Sequence, residues 1–198
     1  VGKPYAFDVL EIPDNVQGDM RGCSWHDAPE CPAFAALRLV RVSHHDFAGG
    51  VQLGELVVAS SIAEEIVAIF ERLFAAQFPI ERMQRVDAFG GSDAASMAAN
   101  NSSAFNFRRV QGTSVLSHHA LGLAIDLNPI QNPWLRGAHV DPEQGREYLD
   151  REQRRPGMIV SGDAVVEAFA AYGWDWGGDW RDMRDYQHFS KLHRDKIL

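Results

Sequence analysis

From Leu121 to Asn128 the chain alternates without a break. Leu121, Leu123, Ile125 and Leu127 are large and apolar, while Gly122, Ala124, Asp126 and Asn128 are small or polar. A strand sends successive side chains to opposite faces. The run therefore predicts a strand with one face on the core and, on the other, a low floor of Gly122 and Ala124 ending in a carboxylate. Such a floor leaves room above it for a metal, a water and a substrate backbone. His119 stands just ahead, where a turn brings it over the floor. Imidazole and carboxylate both suit zinc, although a histidine seven residues from an aspartate also arises by chance.

A second segment supplies what the first lacks. In GWDWGGDWRDMRDYQHFS, Asp185 stands three residues before His188, and His188-Phe189-Ser190 has the pattern of a strand entering the core. A ligand from this distant strand completes a site of three protein ligands with an open position for water. A carboxylate held beside that water can take its proton.

The pattern Ser117-x-His119-x-x-Gly122-x-Ala124-x-Asp126, followed by Asp185-x-x-His188, resembles the zinc D-alanyl-D-alanine carboxypeptidase family, which includes VanY-type peptidases and L-alanyl-D-glutamate endopeptidases. The resemblance covers the chain from about Met83 to Phe189. It implies one zinc per chain on His119, Asp126 and His188, with Asp185 as general base. The spacing to Gly122 and Asp126 selects His119 over the adjacent His118. The family also places an arginine upstream of the first histidine to stabilise charge on the scissile carbonyl oxygen. Arg108 fits that role in AFNFRRV, since in a strand it shares a face with Asn106, although this context departs from the more usual Gly-Tyr-Arg-Ser. Ser117 is expected at the substrate. Trp134, Trp174, Trp176 and Trp180 either line a substrate groove or pack over the sheet. An aspartate at 185 resembles the endopeptidase branch more than the dipeptidase branch. The implied activity is hydrolysis of peptidoglycan stem peptides by a secreted, periplasmic or cell-wall-associated monomer. The alternative is a non-catalytic zinc-containing cell-wall-binding domain.

The rest of the chain predicts one α+β domain over residues 1–198, a small antiparallel sheet carrying the zinc with helices packed on it, after an irregular arm at 1–35. Alternation from Leu37 to Val42 predicts a half-buried strand, Gly49-Gly50 a turn, and Glu55 to Ala59 its hairpin partner. Ile62, Ile66, Ile69, Phe70 and Leu73 form the apolar stripe of a helix capped by Ser60 or Ser61. Met83 to Phe89 reads as a strand and Ala94 to Ala99 as a short helix. Asp163 caps a helix that Gly173 ends, and the polar stretch from Gly137 to Gly157 reads as a surface loop. A net charge of −8 offers no basic footprint for nucleic acid. No apolar run reaches the length of a membrane span. The opening VGKPYAFDVL lacks the charged and apolar regions of a signal peptide. Cys23 and Cys31, in a turn-rich stretch with Pro29 and Pro32, are expected to pair as a disulfide.

Overall fold

The computed structural model describes residues 4–193. Strands β1 (Phe7–Leu10), β2 (Leu37–His45) and β3 (Val51–Ala59) form an antiparallel sheet in that order. The expected hairpin is β2–β3, in register from Leu37↔Ala59 to His45↔Val51. Its turn is closed by Asp46, whose Oδ1 accepts the amides of Ala48 and Gly50. The sheet is buried on both faces. Val40, Val42, Leu56 and Val58 join the main core, while Leu37, Leu39 and Val57 join a second cluster with Ile12, Val16 and Met20. The second cluster corrects the reading of residues 1–35 as irregular: they contain β1 and helix α1 (Asp14–Met20), and α1 covers the face left by Leu37 and Leu39. The two cysteines that follow α1, Cys23 and Cys31, are free thiols and not the expected disulfide.

Helix α2 (Ala63–Ala75) lays its predicted stripe into the main core, with Ile62, Ile66, Ile69, Phe70 and Leu73 all buried. Its start differs from expectation. A 3-10 turn at Ser60–Ile62 takes up both serines, and no side chain caps α2. Of the expected strand at 83–89 only Met83 falls in a strand, as the second residue of β4 (Arg82–Met83). Val86–Phe89 closes instead into a 3-10 turn ending at left-handed Gly90. Helix α3 (Asp93–Ala98), capped by Ser92, leads to β5 (Asn101–Ser102), which runs parallel to β4.

The later segments bring distant residues together. β6 (Ala124–Asp126) pairs with β11 (His188–Ser190), which pairs with β9 (Asp175–Trp176), in a small antiparallel sheet ordered β6-β11-β9. β7 (Trp134–Arg136) and β8 (His139–Asp141) form a hairpin flanked by β10 (Arg184–Asp185), so the expected loop after Gly137 starts with a strand. Helix α4 (Ala164–Ala170) is capped as predicted, with Asp163 accepting the amides of Val165 and Val166. Its Phe169 stacks on Phe189 of β11 at 4.0 Å between centroids and meets Trp174 edge-on at 5.4 Å. The architecture is thus mixed α and β, with helices packed on small antiparallel sheets. Among the described residues no helix is long and apolar enough to cross a membrane.

Phe169 is fully buried and supports the strand that carries His188. Phe169→Ala is expected to cost about 3–5 kcal/mol of stability, as aromatic truncations in packed cores do. Urea unfolding of the two chains measures it, and an unchanged midpoint would show that the ring does not carry this packing.

Candidate metal centre

The site begins with a register. In the β6–β11 ladder Asp126 lies directly opposite His188. Opposed residues on an antiparallel pair project to the same face with their Cβ atoms about 5 Å apart. Backbone pairing alone therefore sets a carboxylate beside an imidazole, and His188 Nδ1 lies 2.9 Å from Asp126 Oδ1. On its other edge Asp126 exchanges both backbone hydrogen bonds with Ser103, so β6 is fixed on two sides.

His119 arrives on a turn, as its sequence suggested, but the turn reaches further along the chain than expected. Residues His118–Leu121 form a 3-10 turn, and Gly122 follows in the left-handed region at φ +67°. Only from Ala124 is the chain a strand. Gly122 is therefore not the floor of a metal cavity. A Cβ there would stand 2.6 Å from the backbone nitrogen of Ala59, and Ala59 donates to the Gly122 carbonyl at 2.9 Å. The glycine lets the turn lie flat on the end of β3. The same strand end holds the neighbouring segment, through Phe105 N–H donating to Val57 O. Ala104, in that segment, accepts the Nδ1–H of His119 at 2.6 Å. This hydrogen bond fixes the imidazole tautomer and leaves the Nε2 lone pair facing the site. Ser117, expected at the substrate, is buried and caps this turn, its hydroxyl accepting the amide of His119.

Three acceptors thus converge. His119 Nε2 lies 3.2 Å from His188 Nδ1 and 3.2 Å from Asp126 Oδ1. All three ligand atoms lie within 4.8 Å of one another, and the residues are largely buried. The edge of a tetrahedron with ligand bonds of 2.0 Å is about 3.3 Å, so the spacing suits a small tetrahedral cation. Lone pairs packed this closely repel unless a positive charge lies among them, and the donor set of two imidazoles and one carboxylate is one that zinc accepts. The residues present fit the metal.

The two carboxylates at the site are held in opposite states. Burial alone would raise the Asp126 carboxyl, but the neighbouring imidazoles of His119 and His188 outweigh it and hold it far below the usual carboxylate range. Burial drives Asp185 the other way, well above that range; Asp126 adds to the rise, while His188, Arg108 and Gln187 oppose it. Oδ1 of Asp185 is buried and makes no hydrogen bond. Its backbone is wedged from behind, since a Cβ on Gly177 would stand 2.5 Å from the Asp185 carbonyl oxygen and 2.8 Å from its Cβ.

Arg108 faces the same centre. Burial draws its guanidinium below the ordinary value, and attraction to Asp126 and Asp185 offsets part of that. It is ion-paired with Asp93, whose other oxygen accepts from Asn106. Asp93, at the start of α3, thus aims the arginine, and nothing in its sequence surroundings marked it. Gly177 is more legible in retrospect, as one of a glycine pair between two tryptophans shortly before the acid.

Of the two readings left open for the tryptophans at 174 and 176, packing over the sheet is the one their burial fits. Trp174 and Trp176 are core residues, only 4% and 6% exposed, with their indole N–H groups bonded to Glu65 and to the Tyr186 carbonyl. The ring near the metal centre is Trp180, 5.4 Å from that of His188. His118 lies beside the site, hydrogen-bonded to Ser190 on β11, and burial and the neighbouring His188 and His119 push it down to about 4.

Residues 111–191 match the model of a family described as D-alanyl-D-alanine carboxypeptidase. The match bears out the resemblance read from the two motifs and contains His119, Asp126, Asp185 and His188, while Arg108 and Asp93 lie ahead of it. No curated protein and no solved structure matches the chain significantly.

The convergence of three ligands predicts about one divalent cation per chain. His119→Ala and His188→Ala should each lose most of it in elemental analysis after dialysis. Full retention in both variants would remove the ligand assignment.

Proposed function

We propose that the chain is a zinc peptidase of peptidoglycan stem peptides, cutting a D-alanyl-D-alanine or an L-alanyl-D-glutamate bond. The observation that carries this reading is the juxtaposition of three converging ligand atoms with a buried carboxylate oxygen that has no hydrogen-bond partner. The family match supports the substrate class. A chain acting on that substrate works as a secreted, periplasmic or wall-associated protein, and we take it to act as a monomer.

His119, Asp126 and His188 would hold the zinc. Zinc supplies Lewis acidity there, acidifying water to a pKa of about 7 in well-studied cases and polarising an amide carbonyl. The remaining work belongs to the chain. Asp185 accepts a proton at its carboxylate as the amide carbonyl is attacked and returns it to the leaving amine. Its burial suits that exchange, because a base whose affinity for a proton is raised toward neutrality can both take and release one. Arg108, half-buried and held by Asp93, presents positive charge where the carbonyl oxygen becomes negative. Ser117 and Ala104 keep His119 in orientation and tautomer.

The deciding comparison is Asp185→Asn, which keeps the shape and removes the proton acceptor. It is expected to retain the metal while turnover of a synthetic stem peptide falls by about 100- to 10,000-fold. Asp126→Asn should instead lose the metal. Product masses from digested peptidoglycan identify which bond is cut. Near-wild-type turnover in Asp185→Asn rejects the mechanism, and a metal-loaded wild type that cuts neither bond rejects the function in favour of a non-catalytic wall-binding domain.

A further inference from the structure

The base does not stand on an isolated strand. β10 is one edge of the β10-β7-β8 sheet, and in its register Asp185 lies opposite Trp134, which in turn lies opposite Asp141. Opposed residues of an antiparallel ladder share a face, with Cβ atoms about 4.5–5.5 Å apart. Trp134 is thus one cross-strand step from Asp185, on the face that carries its carboxylate. The alternate residues Leu135 and Val140 point the other way, and Val140 is buried, so the hairpin is seated on the molecule through the opposite face.

The indole is fixed in place. Its N–H points to Met183 Sδ at 3.3 Å, and His139 meets it edge-on at 5.3 Å and 69°. Unlike Trp174 and Trp176, which are sunk in the core, Trp134 is half-buried, and His139 is exposed. A half-exposed aromatic ring beside a reacting carboxylate has a surface suited to methyl and methylene groups, and its rigidity makes contact cheap in conformational entropy. Asp141, on the far side of Trp134, disfavours an anionic group at the same spot.

We propose that Trp134, backed by His139, is a substrate-contact residue that takes the small apolar side chain of the stem-peptide residue next to the scissile bond. This rests on the peptidase reading above and adds the surface that selects its substrate. The hairpin, and not the buried Trp174 and Trp176, then supplies this aromatic contact.

Binding separates this proposal from the function it rests on. A synthetic peptidoglycan pentapeptide containing both candidate bonds is titrated calorimetrically into the metal-loaded Asp185→Asn chain, which holds it uncut. Adding Trp134→Ala is expected to weaken binding by roughly 10- to 50-fold, the range of an aromatic anchor, and Trp134→Phe by no more than about 3-fold, since a ring is kept. In the otherwise wild-type chain Trp134→Ala should raise KM by a similar factor with kcat nearly unchanged. Trp134→Leu keeps apolar bulk without a ring and should reproduce the loss if the alanine variant does not fold. Unchanged affinity in the alanine and leucine variants overturns the proposal while leaving the peptidase reading intact. A fall in kcat at unchanged affinity also overturns it, because the indole would then act by positioning Asp185. If the Asp185→Asn chain does not bind the peptide and the wild type does not cut it, both readings fail together.

Discussion

The pairing of β6 with β11 is the constraint on which the site depends. These are strands of three residues each, too short to be stable alone, and they are held by what lies behind them. Ile125 and Phe189 are opposed in the ladder and fully buried, and Phe169 stacks on Phe189. A slip of one residue would turn Ile125 outward and carry Asp126 into the core. The apolar packing that fixes the register therefore also fixes the distance between Asp126 and His188. Stability and ligand geometry are set by one set of contacts.

Around that pair the fold sorts two carboxylates into two roles. Asp126 lies between imidazoles that favour its charge, whereas Asp185 is buried with an oxygen that nothing bonds. In the proposed mechanism the same residue type would serve as a ligand in one setting and as a proton acceptor in the other, because burial and charged neighbours act in opposite senses. Arg108 is attracted to both, opposes the rise at Asp185, and is ion-paired with Asp93.

The ligands were legible in the sequence because their spacing is short and their residue types are chemically distinctive. The strand after Ala124, the stripe of α2 and the cap of α4 were equally legible, since each rests on a local period or a local hydrogen bond. The misreadings share a cause, which is that tertiary contact decided the outcome. Gly122 looked like part of an alternating strand, but close approach to Ala59 makes it a turn. The first thirty-five residues looked irregular because α1 is short, and its reason to exist is the second apolar face of β2 and β3. Trp174 and Trp176 were ambiguous in sequence, and only the partners of their N–H groups separate core from groove. Asp93 was invisible, because its partner Arg108 lies 15 residues away along the chain, and Trp134 stood out only as one of four tryptophans that could equally line a groove or pack.

His119 and His188 are 69 positions apart along the chain. A cation gripping both acts as a clasp on a long loop, and the entropy such a clasp removes from the unfolded chain grows with the length it closes. The hairpin β7–β8, helix α4 and Asp185, the proposed base, all lie inside that loop. A chelator would therefore remove more than a reactant: it would loosen the tether on the segment that carries the base, so resistance to unfolding and to proteolysis would rise and fall with free metal concentration through mass action.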